Sequence, residues 1–416
     1  MTSRVPTVRS AGPSAVALAV AGSATVATAF GMARYGYGLL LPDIQDDLAL
    51  GATALGAIGT LAYVAYVLAT VVVTRCVARA GERATVVAGG LFAVAGTIVV
   101  ALADGPALLG AGVAIAGASA GLVYPPFADA VERLPAAVRA RTLATINCGT
   151  GWGVAVAAPI AIVAGDAWRA AYLGFAACAA LSTLHVARTL PGRAAIPAPA
   201  DDEPAARGFR RAALPMLADA LLVGLGSAAF WTFAVDQVRD AGLDQAAGRT
   251  LLGVAGVTSV LGIGAADVIR RLGAGRTFVL TALLEAAAIA TVGVAADSLL
   301  AVLVAGAAFG AAYNTIVTVT VLWGTRVYAD SPSTGIATAA GANAVGLLCG
   351  PLAGGIVADA IGLTATLLAG ATVVLAAALF APRGDVVQNE TTLSLHRLGA
   401  PHHQRRRLET GGLQRP

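Results

Sequence analysis

Three charged side chains stand inside otherwise apolar stretches: Arg34 in FGMARYGYGLLLP, Asp219 in PMLADALLVG and Glu285 in LTALLEAAAIA. A charge in such surroundings costs a few kcal/mol or more, so each needs a reason to be there. A guanidinium can grip a carboxylate-like group through parallel hydrogen bonds, and it can equally pair with an acid of its own chain. Arg34 lies eight residues before Pro42, about 12 Å from that end of its helix at 1.5 Å per residue, and Tyr37 at i+3 shares its face. Arg34 and Tyr37 are therefore candidate binding groups. Asp219 and Glu285 are candidates for binding and releasing a proton, with structural pairing the alternative for Asp219. Glu285, near the middle of its stretch, is expected to face other helices. Tyr124, Trp231, Tyr313 and Asn314 supply further aromatic and amide contacts for a solute. Asn147, Trp152 and Asn343 are weaker candidates, and Tyr63 and Tyr66 read as packing.

The elements that position these residues are long and apolar. Hydrophobic residues make up 57% of the chain and charged residues 12%, against about a quarter charged in a soluble domain. Crossing a bilayer takes roughly 20 apolar residues. Such runs fall at 14–41, 51–73, 84–103, 106–128, 140–164 and 168–187, then at 212–235, 247–268, 277–296, 299–324, 334–357 and 360–381. The second set repeats the first. Asp43, Asp47 and Leu50 return 193 positions later as Asp236, Asp240 and Leu243, Arg79 and Gly81 return as Arg271 and Gly273, and AGASAGLVY returns as AGAAFGAAY. The sequence predicts an all-α membrane protein of twelve transmembrane helices in two pseudo-symmetric six-helix bundles, residues 14–187 and 212–381. Residues 1–13 form an N-terminal tail, and 188–211, rich in Pro, Ala and charge, form a linker. Residues 382–416 lose apolar periodicity and are expected to be disordered.

Arginine clusters on alternate loops, at 75–83, 133–141, 188–211 and 270–276, whereas Asp43, Asp46, Asp104, Asp166, Asp240, Asp297 and Asp359 fall on the opposite ones. The positive-inside rule then places both termini in the cytoplasm and the chain in the cytoplasmic membrane. The basic balance reports topology, and no nucleic-acid partner is expected. The first run continues past any signal-like cleavage site near Ala27 into Pro42, so cleavage is not expected. Cys76, Cys148, Cys178 and Cys349 fall in separate segments and form no disulfide framework.

Composition also excludes chemistry. The chain contains no Lys, which removes a phosphate-cradling Walker loop and a retinal Schiff base. His185 is the one histidine inside an apolar stretch, so a transmembrane bis-His haem cannot be assembled. There is no zinc-spaced cluster and no G-x-S-x-G elbow. No metal, no cofactor and no enzyme activity are expected.

The duplicated six-plus-six plan, the central linker and the loop after the second helix resemble the major facilitator superfamily over residues 14–381. The resemblance implies a charged latch in that loop. TRCVARAGER keeps its Arg79, Gly81 and Arg83, with Thr74, Ala78 and Glu82 where the family has Gly, Asp and a basic residue. ADVIRRLGAG keeps Arg271 and Gly273 with Asp267 upstream, so Arg79, Gly81, Asp267, Arg271 and Gly273 are candidate gating residues. GLLCGPLAGG in the eleventh helix is similar to the glycine-proline pattern that family antiporters carry in the fifth, where this chain keeps Pro159; the alternative is close helix packing. Val113 stands near the place of an intramembrane Arg found in many members. The resemblance implies a site between the first and seventh helices, and secondary transport of a small organic molecule by alternating access. A proton-coupled exporter is the first expectation. An importer of a small organic anion using Arg34, or a membrane sensor or scaffold that transports nothing, are the alternatives.

Overall fold

The computed structural model describes residues 14–190, 210–329 and 331–382, with the backbone alone at 74–79, 136, 140, 332 and 333. The expected N-terminal tail, most of the linker and nearly all of the C-terminal tail lie outside the described residues.

Among the described residues, twelve helices are long and apolar enough to cross a membrane. They are α1 Ala15–Met32, α2 Ala52–Val73, α3 Glu82–Ala101, α4 Pro106–Glu132, α5 Ala137–Ala164, α6 Trp168–Thr189, α7 Arg211–Asp240, α8 Gln245–Leu272, α9 Ala274–Val294, α10 Leu299–Val327, α11 Thr334–Ile361 and α12 Leu363–Phe380. Local sequence sets their ends. Ser14, Asp244 and Ser298 accept a hydrogen bond from the third residue on, at the starts of α1, α8 and α10, the usual service of short polar side chains to free N–H groups. Gly81 and Gly273, one in each half, take φ of 84° and 81° just before α3 and α9, a region that side chains rarely enter.

Each half closes on itself before it meets the other. In the first half α3 packs on α4 and α6, and α2 on α4; in the second α7 packs on α11 and α12, and α9 on α10 and α12. The halves meet along two long seams, α2 against α11 and α5 against α8. These seams are repeat mates, because α8 and α11 follow α2 and α5 in the duplicated order. Lipid tails are as apolar as leucine, so such seams are held by close approach of small residues and by polar contacts. Two glycines of GLLCGPLAGG allow such approach: a Cβ on Gly355 would lie 2.3 Å from Ala52 O on α2, at a seam, and one on Gly346 2.2 Å from Leu221 O on α7, inside the second half. Faces turned away from the seams carry large exposed apolar side chains, among them Leu68, Val163 and Leu300.

The first helix departs from the continuous run expected at 14–41. Regular α-helix ends at Val26, a π-helix spans Ala27–Met32, and helix resumes only at Gly36–Leu39, followed by a short helix Leu41–Leu48. Ala33 N donates to Thr28 O at 2.9 Å and Tyr35 N to Phe30 O at 3.0 Å, both five residues back. Close packing accompanies the widened turn. A Cβ on Gly31 would sit 2.4 Å from Gly153 Cα, so α1 presses backbone to backbone on α5 there. Widened turns of this kind recur at functional sites, and Arg34 falls in the break.

Candidate functional site

The break in α1 delivers Arg34 to the interior, where its side chain is buried. Its guanidinium carbon lies 4.0 Å from the ring centre of Tyr63, 4.7 Å from Tyr66, 5.5 Å from Tyr35 and 5.6 Å from Phe30. Tyr63 and Tyr66, three apart on α2, therefore present their faces to a cation. They were read as packing because the spacing shows a shared face and not what approaches it. Cation–ring contacts of this kind contribute about 2 kcal/mol when desolvated, which offsets part of the cost of burying the charge. No carboxylate among the described residues pairs with Arg34; the ion pairs there join other arginines. Its Nε has no hydrogen-bond partner.

Arg34 borders a cavity of about 20 Å³ shared by both halves, with Tyr37 and Tyr63 on one side and Trp231, Thr232 and Pro351 on the other. That is room for a single water-sized molecule. Trp231 lies against Tyr35 at 4.6 Å with its ring tilted by 39°, and meets Phe309 and Tyr313 edge to face at 5.2 and 5.9 Å. Its indole Nε1 is buried and, like Arg34 Nε, unpartnered. Two residues with orphan donors, one from each half, thus border one small space. An acceptor, above all an anionic one, is the chemistry that would satisfy both.

The remaining candidates divide. Tyr37 lines the cavity, but its hydroxyl donates to Leu55 O on α2 at 2.9 Å. Tyr313 stacks on Phe309 beside Trp231. Tyr124 packs against Phe30 at 6.4 Å, behind the Arg34 cage. Asn314 is occupied elsewhere: its Nδ2 donates at 3.0 Å to Ser259 O, where α8 tightens into a 3-10 segment at Ser259–Gly264. Asn343 likewise donates to Ala220 O. Asp219 and Glu285 are both fully buried in the second half, and each meets a hydroxyl: Asp219 Oδ2 lies 3.0 Å from Thr320 Oγ1 on α10, and Glu285 Oε1 lies 2.5 Å from Ser227 Oγ on α7. Glu285 therefore faces the bundle.

Among the described residues, charges tie the halves together at the aspartate-rich end. Arg79's side chain lies outside the described residues, Arg271 is exposed, and Asp267 pairs with Arg270 on its own helix. Among the described residues, no hydrogen bond or ion pair joins Asp267 or Arg271 to the other half. At the aspartate-rich end the situation is reversed. Arg249 of α8 is buried and donates to Asp43 Oδ2 at 2.8 Å, and also to Ala161 O and Gly165 O at the end of α5. Arg239 bridges Asp46 at 2.7 Å, Pro42 O at 3.1 Å and Asp236 at 3.0 Å. Asp359, from the end of α11, accepts from Ala52 N and Thr53 N at 3.0 and 2.8 Å, capping α2 across the seam. Together with Arg169, Arg239 and Arg249 are the arginines that fall among the acidic loops of the sequence, and that exception was the available signal.

The chain's similarities to known proteins follow the same lines. A family model described as the uncharacterised MFS-type transporter YbfB matches residues 26–381. No curated protein matches the sequence. A crystal structure of a mutant of the nucleoside transporter NupG is similar with a TM-score of 0.70 and 11% identity, covering 87% of this chain and 98% of that one. A bacterial homologue of the human lysosomal transporter Spinster, inward-facing and unoccupied, is similar with a TM-score of 0.64 and 15% identity, covering 88% of this chain and 93% of that one. At such identities the two structures speak for the fold alone.

Proposed function

The chain belongs to the family of MFS-type transporters represented by YbfB, and from that premise we propose that it carries a small organic anion across the cytoplasmic membrane by alternating access. The observation that carries the reading is the buried Arg34 guanidinium, cushioned by rings, paired with no acid among the described residues, and bordering a cavity between the halves. Transporters of this plan bind at the repeat interface, on helices that break near the bilayer centre. The break at Arg34 fits that description.

In this reading Arg34 and the Trp231 indole take the anionic group, and the faces of Tyr35 and Tyr63 take the planar or apolar remainder. The contacts at the aspartate-rich end form a closed gate, and the arginine-rich end faces the cytoplasm by the charge rule. Breaking Asp43–Arg249, Asp46–Arg239 and the Asp359 cap would let the halves rock apart at that end. A proton is the proposed coupling ion, with Asp219 and Glu285 as its carriers. The helix α11 glycines are accounted for by packing, so export and import are separated by assay and not by motif.

The test is movement of organic anions, neutral solutes and amphiphilic cations in proteoliposomes, with and without an imposed pH gradient. Gradient-dependent movement of anions in one direction supports the reading and fixes direction. Movement of neutral or cationic solutes with anions excluded would sink it.

A further inference from the structure

The space beside Arg34 is nearly full, and one side chain fills it. Trp231 stands 193 positions after Gly38, the offset of the duplication, so the two occupy equivalent places in the two halves. They also meet: a Cβ on Gly38 would lie 2.0 Å from Trp231 O. Where symmetry offers room for two side chains there is one, an indole, and its ring centre lies 4.6 Å from that of Tyr35. Tyr35 is the face assigned above to the planar part of the solute. Indole and solute therefore compete for it, because a close-packed interior holds one group in one place. The cavity left beside them, about 20 Å³, admits a water and no ring.

The other walls are held. Tyr37 donates its hydroxyl to Leu55 O at 2.9 Å. A Cβ on Gly56 would lie 2.1 Å from Pro351 O, so α11 and α2 touch backbone to backbone there. The Arg34 guanidinium is enclosed by Phe30, Tyr35, Tyr63 and Tyr66. Trp231 differs from all of these. Its Nε1 has no hydrogen-bond partner, and its ring is held by contacts with other rings, Tyr35, Phe230, Phe309 and Tyr313, which are individually weak. It is the wall that can turn.

Resting on the anion reading of this site, we propose that Trp231 is the residue that sets the size of the solute: its indole stands where the planar part of the solute lies on Tyr35, and a solute binds only if it fits the space the indole vacates by turning. A turned indole stays in the cavity, with Nε1 free for the carboxylate, so the vacated space is smaller than the indole itself. The class selected is a carboxylate on a single planar ring, and fused-ring acids are excluded.

The experiment is calorimetric titration of the purified full chain with benzoate, naphthoate and anthroate, on the wild type, Trp231→Ala, Trp231→Phe and Arg34→Gln. The wild type should bind benzoate most tightly and anthroate least, against the rise that added apolar surface alone would give. Trp231→Ala should shift the ratio of anthroate to benzoate affinity by about tenfold or more toward anthroate, because forcing extra atoms into a filled space carries a cost of that order. Trp231→Phe, which lacks the second ring, should fall between. A wild type that binds anthroate at least as tightly as benzoate overturns the proposal, and that arm needs no variant to fold. An unchanged ratio in Trp231→Ala, or in Trp231→Phe if only that variant folds, also overturns it, as does loss of all three acids together by folded Trp231→Ala. These outcomes leave the anion reading standing. Binding of none of the acids by the wild type, or equal binding by Arg34→Gln, would overturn the anion reading and the size limit with it.

Discussion

The two halves share a chain path and oppose each other in chemistry. Among the described residues, the first buries Arg34 with no acid paired to it, and the second buries Asp219 and Glu285 with no cation paired to them. The contrast is positional. Ser227, which holds Glu285, stands 193 positions after Arg34, the same offset that separates Asp43 from Asp236. Duplication supplied two equivalent places near the middle of the bundle, and one now presents a guanidinium while the other presents a hydroxyl and a carboxyl. At the aspartate-rich end the polarity inverts: the first half gives Asp43 and Asp46, the second gives Arg249 and Arg239. The lesson is that symmetry sets where the functional groups stand, and divergence sets what each half binds.

The inverted seam should break hardest. Arg249→Ala leaves Asp43 buried without its partner, a loss worth about 3–5 kcal/mol. We expect a lower unfolding temperature and a longer distance between spin labels at positions 50 and 243; an unchanged distance with unchanged stability would remove the gate. Adding Asp43→Asn should recover part of the loss, because the stranded charge goes with it.

Arg34→Ala comes next and removes the cation that distinguishes the first half. Truncating one member of a buried, hydrogen-bonded charge pair costs about 2–5 kcal/mol, so anion affinity should fall about 30-fold or more. Arg34→Lys should recover little, since an ammonium cannot fork to a carboxylate or lie flat on Tyr63. A smaller effect belongs to the rings: Tyr63→Leu should weaken binding about tenfold by loss of the cation–ring contact, while Tyr63→Phe stays near wild type. If Phe and Leu behave alike, the ring face is not what holds the guanidinium. The smallest change is expected from Asp359→Ala, which removes a cap worth about 1 kcal/mol or less and should show mainly as faster opening in the same spin-label measurement.

Much of this was legible in the sequence because hydropathy and repetition are strong signals. Twelve apolar runs and the 193-residue offset define the fold, and Arg34, Asp219 and Glu285 stand out as charges in apolar stretches. What escaped depends on three-dimensional approach. The π-helical break before Arg34 arises where Gly31 meets Gly153, a contact 122 positions apart with no local pattern. Tyr63 and Tyr66 became a cage only once α1 bent toward α2. Asn314 seemed a solute contact beside Tyr313, but a tightened turn in α8 claims its amide. The gate was sought in the arginine-rich loops because family resemblance pointed there, whereas the described cross-half charges gather at the opposite end.

The central claim is that the cavity recognises negative charge through Arg34. The direct measurement is thermal stabilisation of the purified chain by a series of planar carboxylic acids and their methyl esters, for the wild type and Arg34→Gln. A bound ligand at 100 times its Kd stabilises by about 2.7 kcal/mol. The account predicts that acids raise the unfolding temperature of the wild type, that the esters do not, and that Arg34→Gln responds to neither. Equal stabilisation by acid and ester, or an undiminished acid response in Arg34→Gln, would contradict it.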